Sequence, residues 1–203
     1  IQDNTYRRLP VQPIVVWERS TGALEVITGR HRLELAQRLK EKTIPAQVVR
    51  EADGFTAAMA IMLDAEANIR DEQGTVRDYA TYFKHSAISE KEASGRGLLR
   101  GDKGRAGFAI GRYAEDGLYS LYWNGGIGEA KAAAIAATAP NNAALQAAGI
   151  NKAKDMEAPE LVNYLAALKK HTGQVSQEGK QGDLFGVDES SCLIAAALAM
   201  QAT

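Results

Sequence analysis

A chain of 203 residues, 45% hydrophobic and 24% charged, has the size and balance of one medium globular domain or two small ones. Its net charge of −1 gives no global attraction to nucleic acid, so any polyanionic partner must be met by a local basic surface. The single cysteine, Cys192, rules out an internal disulfide and fits a reducing, cytoplasmic compartment, while the longest apolar run, Cys192 to Met200, is too short for a membrane span.

Ile1 is not an initiator residue, and no charged-then-apolar leader follows it; an element ahead of the first strand is expected to be missing. Residues 11–50 read as β-β-α-β. Ile14 to Trp17 is a short apolar run, Ser20-Thr21-Gly22 supplies turn chemistry, and Leu24 to Thr28 forms a second run. A helix is expected from Arg30 to Lys40, with Leu35 and Leu39 one turn apart, and Ala46 to Val49 returns as a strand after Pro45. Phe55, Ala58, Met59, Met62, Leu63 and Glu66 then follow amphipathic helical spacing, with Asn68 placed to end that helix in the left-handed conformation.

Thr75-Val76-Arg77-Asp78 has the form of a capping box opening a helix with Tyr79, Tyr82 and Phe83. Ser89-Glu90-Lys91-Glu92 forms a second such box, and the chain to residue 170 reads as short helices punctuated at Gly125, Pro140, Gly149 and Pro159. Residues 171–188 are polar and Gly/Gln-rich, a linker by composition, and Ser190 to Thr203 is an Ala-rich, helix-forming tail. The expected organisation is α+β: a small mixed α/β domain over 1–85, an all-helical helix-turn-helix domain over 86–170, and a linker and tail over 171–203. No internal repeat is present.

The strongest chemical signal is Ile27-Thr28-Gly29-Arg30-His31-Arg32-Leu33-Glu34-Leu35-Ala36, a strand running through a glycine into a helix. Cations in a first helical turn are disfavoured, because the helix amino end already carries about half a unit of positive charge. Gly29, Arg30, His31 and Arg32 are thus placed for an anion, met by free backbone N–H groups and forked arginine side chains. The residues alone leave open that both arginines are simply solvated and that His31 only packs or caps.

A second cluster, Asp64 to Asp71, offers Asn68 and Arg70 to a nucleotide and Glu66 or Asp71 to a divalent cation; capping by Asn68 is its structural alternative. The third lies between Lys91 and Arg112, where Lys91, Arg96, Arg100, Lys103, Arg105 and Arg112 face only Glu92 and Asp102, a local +4. Glycines at 95, 97, 101, 104 and 107 alternate with those charges and let backbone approach a phosphodiester. Helix, basic turn and a second helix over Arg105 to Ala114 make a reader of duplex DNA, against the alternative of a solvated charged loop.

Catalytic signatures are sparse. His31, His85 and His171 lack metal-ligand spacing, no nucleophile elbow or P-loop occurs, and Cys192 sits in an inert Ala/Leu context. Gln181-Gly182-Asp183-Leu184-Phe185 is similar to the sliding-clamp peptide of bacterial replication proteins, which marks Gln181, Leu184 and Phe185 as a partner site.

Three stretches together carry a family resemblance. Gln12-Pro13-Ile14-Val15-Val16, then Ile27 to Ala36, then Ile44-Pro45-Ala46-Gln47-Val48-Val49 resemble the ParB/sulfiredoxin-like superfamily pattern of QPI-V, G-x-x-R-x-x-A and IP-x-V. Glu66-Ala67-Asn68-Ile69-Arg70 stands where ParB proteins have an E-N-x-Q-R box, and Gly74 to Phe83 looks like ParB-like domains of mobile-element and phage polyvalent proteins. Ser89 to Ala93 and Asn124 to Ala132 are similar to the family's helix-turn-helix start and a later helix, so the resemblance covers residues 10–150.

The resemblance implies double-stranded DNA binding through the helical half, with Arg96, Arg100, Lys103, Arg105 and Arg112 as contacts. It also implies a CTP site with Mg²⁺ in the α/β half, using Gly29, Arg30, His31, Arg32, Glu66, Asn68 and Arg70, with Glu66 as metal ligand, in a nucleoid-associated homodimer. The family's G-E-R-R reads Gly29-Arg30-His31-Arg32 here, and its box is only partly kept. A sulfiredoxin would need a cysteine where Arg30 stands, which sets peroxiredoxin repair aside. The expected function is therefore a ParB-like DNA-binding protein of a bacterial chromosome, plasmid or mobile element, regulated at a nucleotide site. The alternatives are a ParB-like nuclease or CTP hydrolase using the same pocket, and a protein-recruitment module that binds no nucleotide.

Overall fold

The computed structural model describes residues 12–179. The Gln181, Leu184, Phe185 peptide and the Ala-rich tail lie outside the described residues. The chain divides into two compact units between Ser86 and Ala87. The first is a three-stranded sheet with helices, and the second is helical.

In the first unit, strands β1 (Ile14–Glu18) and β2 (Leu24–Thr28) form an antiparallel hairpin, with β-branched and aromatic residues suited to a pleated surface. Gly22, at φ 81°, turns the hairpin, and its N–H donates to the Arg19 carbonyl at 2.8 Å. Helix α1 (Arg30–Arg38) follows β2 directly and buries Leu35 and Ala36. It ends two residues before the expected Lys40, which itself adopts φ 57°. Strand β3 (Ala46–Arg50) returns parallel to β1, giving the order β2-β1-β3.

Helix α2 (Ala57–Arg70) opens at Thr56, whose side chain accepts from the Met59 N–H, a cap worth about 1 kcal/mol. Asn68 lies inside this helix rather than at its end; the left-handed residue is Glu72, at φ 60°. The physical reason is tertiary: the Asn68 amide donates to Asp78 at 3.0 Å and gains a partner that a terminal position would not supply. Helix α3 (Val76–His85) opens with the expected capping box, the Thr75 side chain accepting from the Asp78 N–H while the Asp78 carboxylate accepts from Thr75. It packs on α2 with Ala80 and Phe83 fully buried.

The second unit contains α4 (Glu90–Gly95), α5 (Asp102–Tyr113), α6 (Asp116–Trp123), α7 (Glu129–Thr138), α8 (Ala143–Lys152) and α9 (Ala158–Gly179). Helix α7 packs against both α5 and α9, with Ile110, Ile135, Leu161 and Leu165 buried at the centre of the unit. Burying each such side chain contributes about 1.5–3 kcal/mol. Gln146 is a buried amide with both N–H donors and its oxygen engaged: it donates to the Tyr113 and Ala139 carbonyls at 2.6 and 2.7 Å and accepts from the Glu115 N–H at 2.8 Å.

Three sequence expectations change here. Gly149 does not punctuate; it sits inside α8, where an added Cβ would lie 3.0 Å from Ile135 and 3.1 Å from Leu165. Helix α5 starts at Asp102 rather than Arg105, because Gly101 takes the extended conformation of an N-cap. Helix α9 runs on to Gly179, through the first part of the segment read as linker. No helix among the described residues is long and apolar enough to cross a membrane.

Candidate functional site

One cleft of about 550 Å³ opens on the sheet of the first unit. Val15, Thr28, Gln47 and Val49 come from the three strands, and Leu63, Glu66, Ala67 and Arg70 from α2. Residues 63, 66, 67 and 70 recur at helical spacing, so one face of α2 forms this wall. Gln12, Pro13 and Arg32 complete the lining.

Gly29 sets the approach of α1 to this cleft. It adopts φ 89°, and a Cβ there would lie 2.7 Å from Ile14 Cγ2, so glycine is needed for both backbone and space. No side chain caps α1 and no acidic residue occupies its first turn, which leaves the helix amino end available to negative charge. The Arg32 guanidinium lies beside Gly29, its Nη2 3.1 Å from where that Cβ would be. It donates to the carbonyl of Gln12 and, at 3.0 Å, to that of Pro13, which holds it across the start of β1.

Of the residues singled out for a nucleotide, Arg32, Glu66 and Arg70 line this one cleft, with Gly29 adjoining it. The others are engaged elsewhere or outside the lining. Arg30 pairs with Asp64 of α2 at 3.2 Å, His31 is exposed on α1, and Asn68 is held by Asp78. Gln12, Thr28 and Gln47 also line the cleft, although the sequence marks none of them as a ligand-binding residue. Gln12 stands in the quoted Gln-Pro motif, and strand alternation relative to Val49 would have put Gln47 on the cleft face.

The donor set fits a phosphorylated ligand: two arginines, an uncapped helix start and two amides face a single lining carboxylate, Glu66. A cation's protein ligands are sparser. Among the described residues no group of three His, Cys, Asp or Glu gathers for a metal, and Asp71 pairs with Arg70 at 3.5 Å.

Asp78 fixes the α2 wall from behind. It accepts from Asn68, from the Thr75 N–H at 2.8 Å and from the Thr75 hydroxyl at 2.6 Å. Burial pushes its carboxyl up, but the Thr75 and Asn68 donors outweigh burial and hold it below the usual aspartate value.

The second candidate surface is the α4–turn–α5 segment. The Ser89 side chain caps α4 by accepting from the Glu92 N–H at 3.2 Å, while the Glu92 carboxylate pairs with Arg96 at 2.6 Å. Lys91, Arg96, Arg100, Lys103 and Arg105 are all exposed. Arg112 is half-buried and donates to the Ile88 carbonyl, so it ties α5 to the chain before α4. The Tyr113 hydroxyl donates to Glu90 at 3.0 Å; burial first, and then that carboxylate, push the phenol above its ordinary value.

Residues 9–65 match the family model of the ParB N-terminal domain. The crystal structure of the C-terminally truncated chromosome-partitioning protein ParB from Caulobacter crescentus, complexed to the centromeric parS site, is similar over 80% of this chain and 85% of that one, at 20% identity and a TM-score of 0.41. No curated protein matches the chain in sequence.

Proposed function

We propose, from the premise that this is a ParB-like protein carrying a ParB N-terminal domain over residues 9–65, that it binds duplex DNA under the control of a nucleotide held in the cleft. The observation that carries the proposal is the convergence of the motif residues Arg32, Glu66 and Arg70 on one cleft beside the uncapped start of α1. These are the groups a triphosphate needs. Backbone N–H groups and forked guanidinium donors offset its charge, and the apolar Val15, Val49 and Leu63 surface takes the base.

CTP is the ligand we assign, on the resemblance of these motifs. Glu66 would offer an oxygen to a Mg²⁺ ion carried on the phosphates, and that ion would neutralise phosphate charge. Binding is favoured over hydrolysis or nuclease action because Glu66 is the one acidic residue, and no histidine is present, in the described lining.

The DNA surface is assigned to α4, the turn and the start of α5, where Lys91, Arg96, Arg100 and Lys103 are exposed together. In helix-turn-helix proteins the second helix enters the major groove while neighbouring basic groups hold phosphates. The unit is assigned to a homodimer on a bacterial chromosome, plasmid or mobile element.

Calorimetric titration with CTP, with ATP as control, tests the cleft: heat is expected for CTP in wild type and its loss in Arg32→Ala. No heat with wild type overturns the nucleotide assignment and leaves the recruitment-module alternative. Duplex binding whose affinity falls steeply with salt is expected of the second unit, and no complex at low salt overturns that half.

A further inference from the structure

We infer that Arg105 is a positioning residue that sets the α4–α5 turn, and that phosphate charge is met by its neighbours Arg100 and Lys103. This rests on the DNA-binding proposal for the second unit.

The turn over residues 96–101 sends its carbonyls into the first turn of α5. Leu98 O lies only 1.8 Å from where a Cβ on Gly104 would stand, so the carbonyl occupies side-chain space that glycine leaves empty. The Leu99 and Arg100 carbonyls accept from Arg105 Nη1 at 3.4 and 3.3 Å. Arg105 Nη2 donates to the Asp102 carboxylate at 2.6 Å. Two carbonyl dipoles and one full negative charge thus share a single guanidinium.

Only a planar fork with donors on several edges can serve acceptors that lie in different directions; a lysine ammonium is a point charge. Removing the fork takes a shared donor from the Leu99 and Arg100 carbonyls and leaves the exposed Asp102 carboxylate to solvent. The turn, held at Gly97 with φ 76° and by the Leu98 N–H on the Ala93 carbonyl, would then open. With Nη1 on the two turn carbonyls and Nη2 on Asp102, the Arg105 guanidinium is held to the turn rather than aimed at a phosphate. A residue that neutralises a phosphate lowers the salt slope by about one; a residue that shapes the surface lowers affinity at every salt concentration.

The experiment measures binding of the full chain to a labelled mixed-sequence duplex between ~50 and ~200 mM salt, a range over which phosphate contacts separate clearly. Arg100→Ala and Lys103→Ala are each expected to reduce the slope by about one, with unchanged exchange of the Leu98 amide. Arg105→Ala is expected to weaken binding at every salt concentration with an unchanged slope and faster exchange of that amide. Arg105→Lys should not rescue it. A slope reduced by about one in Arg105→Ala with unaltered exchange, or full rescue by lysine, overturns the inference. If wild type binds no duplex, the DNA-binding proposal falls by itself. Amide exchange in Arg105→Ala then decides the positioning role, and unchanged protection rejects it.

Discussion

The Asn68 amide donates to the Asp78 carboxylate at 3.0 Å, joining the helix that walls the cleft to the first turn of the helix packed against it. Glu66 and Arg70 flank Asn68 on α2, so the position of both cleft residues depends on a carboxylate that never enters the cleft.

Asp78→Asn is expected to destabilise the first unit by about 1–2 kcal/mol at neutral pH, since it weakens both a helix cap and a charge-assisted hydrogen bond. The Thr75 and Asn68 donors hold the folded-state pKa of Asp78 below its ordinary value of 3.8, so its contribution is present above that pH and is lost as pH falls through the lower folded value. Acid unfolding of wild type and variant should therefore converge below pH 3.8. A difference that persists undiminished in acid would contradict the assignment.

Gly29→Ala should abolish ligand binding in the cleft and lower stability. The left-handed backbone costs about 1–2 kcal/mol in a residue with a Cβ, and that Cβ would meet Ile14 Cγ2 at 2.7 Å. Thermal unfolding and nucleotide titration of the same preparation check both effects.

Gly104→Ala is expected to cost about 1–3 kcal/mol, because its Cβ would collide with the Leu98 carbonyl, and to weaken duplex binding. Gly95→Ala is the control. Nothing lies within 4 Å of its Cβ, and alanine in place of glycine should be neutral or add about 0.5–1 kcal/mol of stability. Equal melting temperatures for the two variants would refute the close approach of turn and helix.

Gln146→Leu should lower stability by about 1–3 kcal/mol. It leaves the Glu115 N–H without its acceptor, at about 1–3 kcal/mol, and takes a second donor from the Tyr113 and Ala139 carbonyls, which keep the Asn141 and Asn142 N–H groups. Denaturant unfolding followed by far-UV circular dichroism measures the loss.

What was legible in the sequence was local. Ile14 to Trp17 announced a strand by its branched and aromatic residues, and Thr75 with Asp78 announced a helix start because capping partners lie three residues apart. Arg32, Glu66 and Arg70 were found through their motifs and share the cleft. The remainder depended on partners distant in sequence. Arg30 pairs with Asp64, 34 residues away, and Asn68 sits inside α2 with Asp78 of α3 as its partner, contacts that no local pattern records. Gly149 fails as a breaker because its flanking helices need the space, which no local pattern records.

The bonds from Arg32 to the Gln12 and Pro13 carbonyls orient its guanidinium at the cleft. A free arginine surrenders up to about 2 kcal/mol of rotamer entropy when a ligand immobilises it. Arg32 is already held by two backbone carbonyls without a ligand, so part of that entropy is lost when the β1 start folds. Affinity at this position is thus preorganised, and a substitution in the Gln12-Pro13 backbone, such as a glycine for Pro13, would weaken binding through disorder of an arginine it leaves chemically intact.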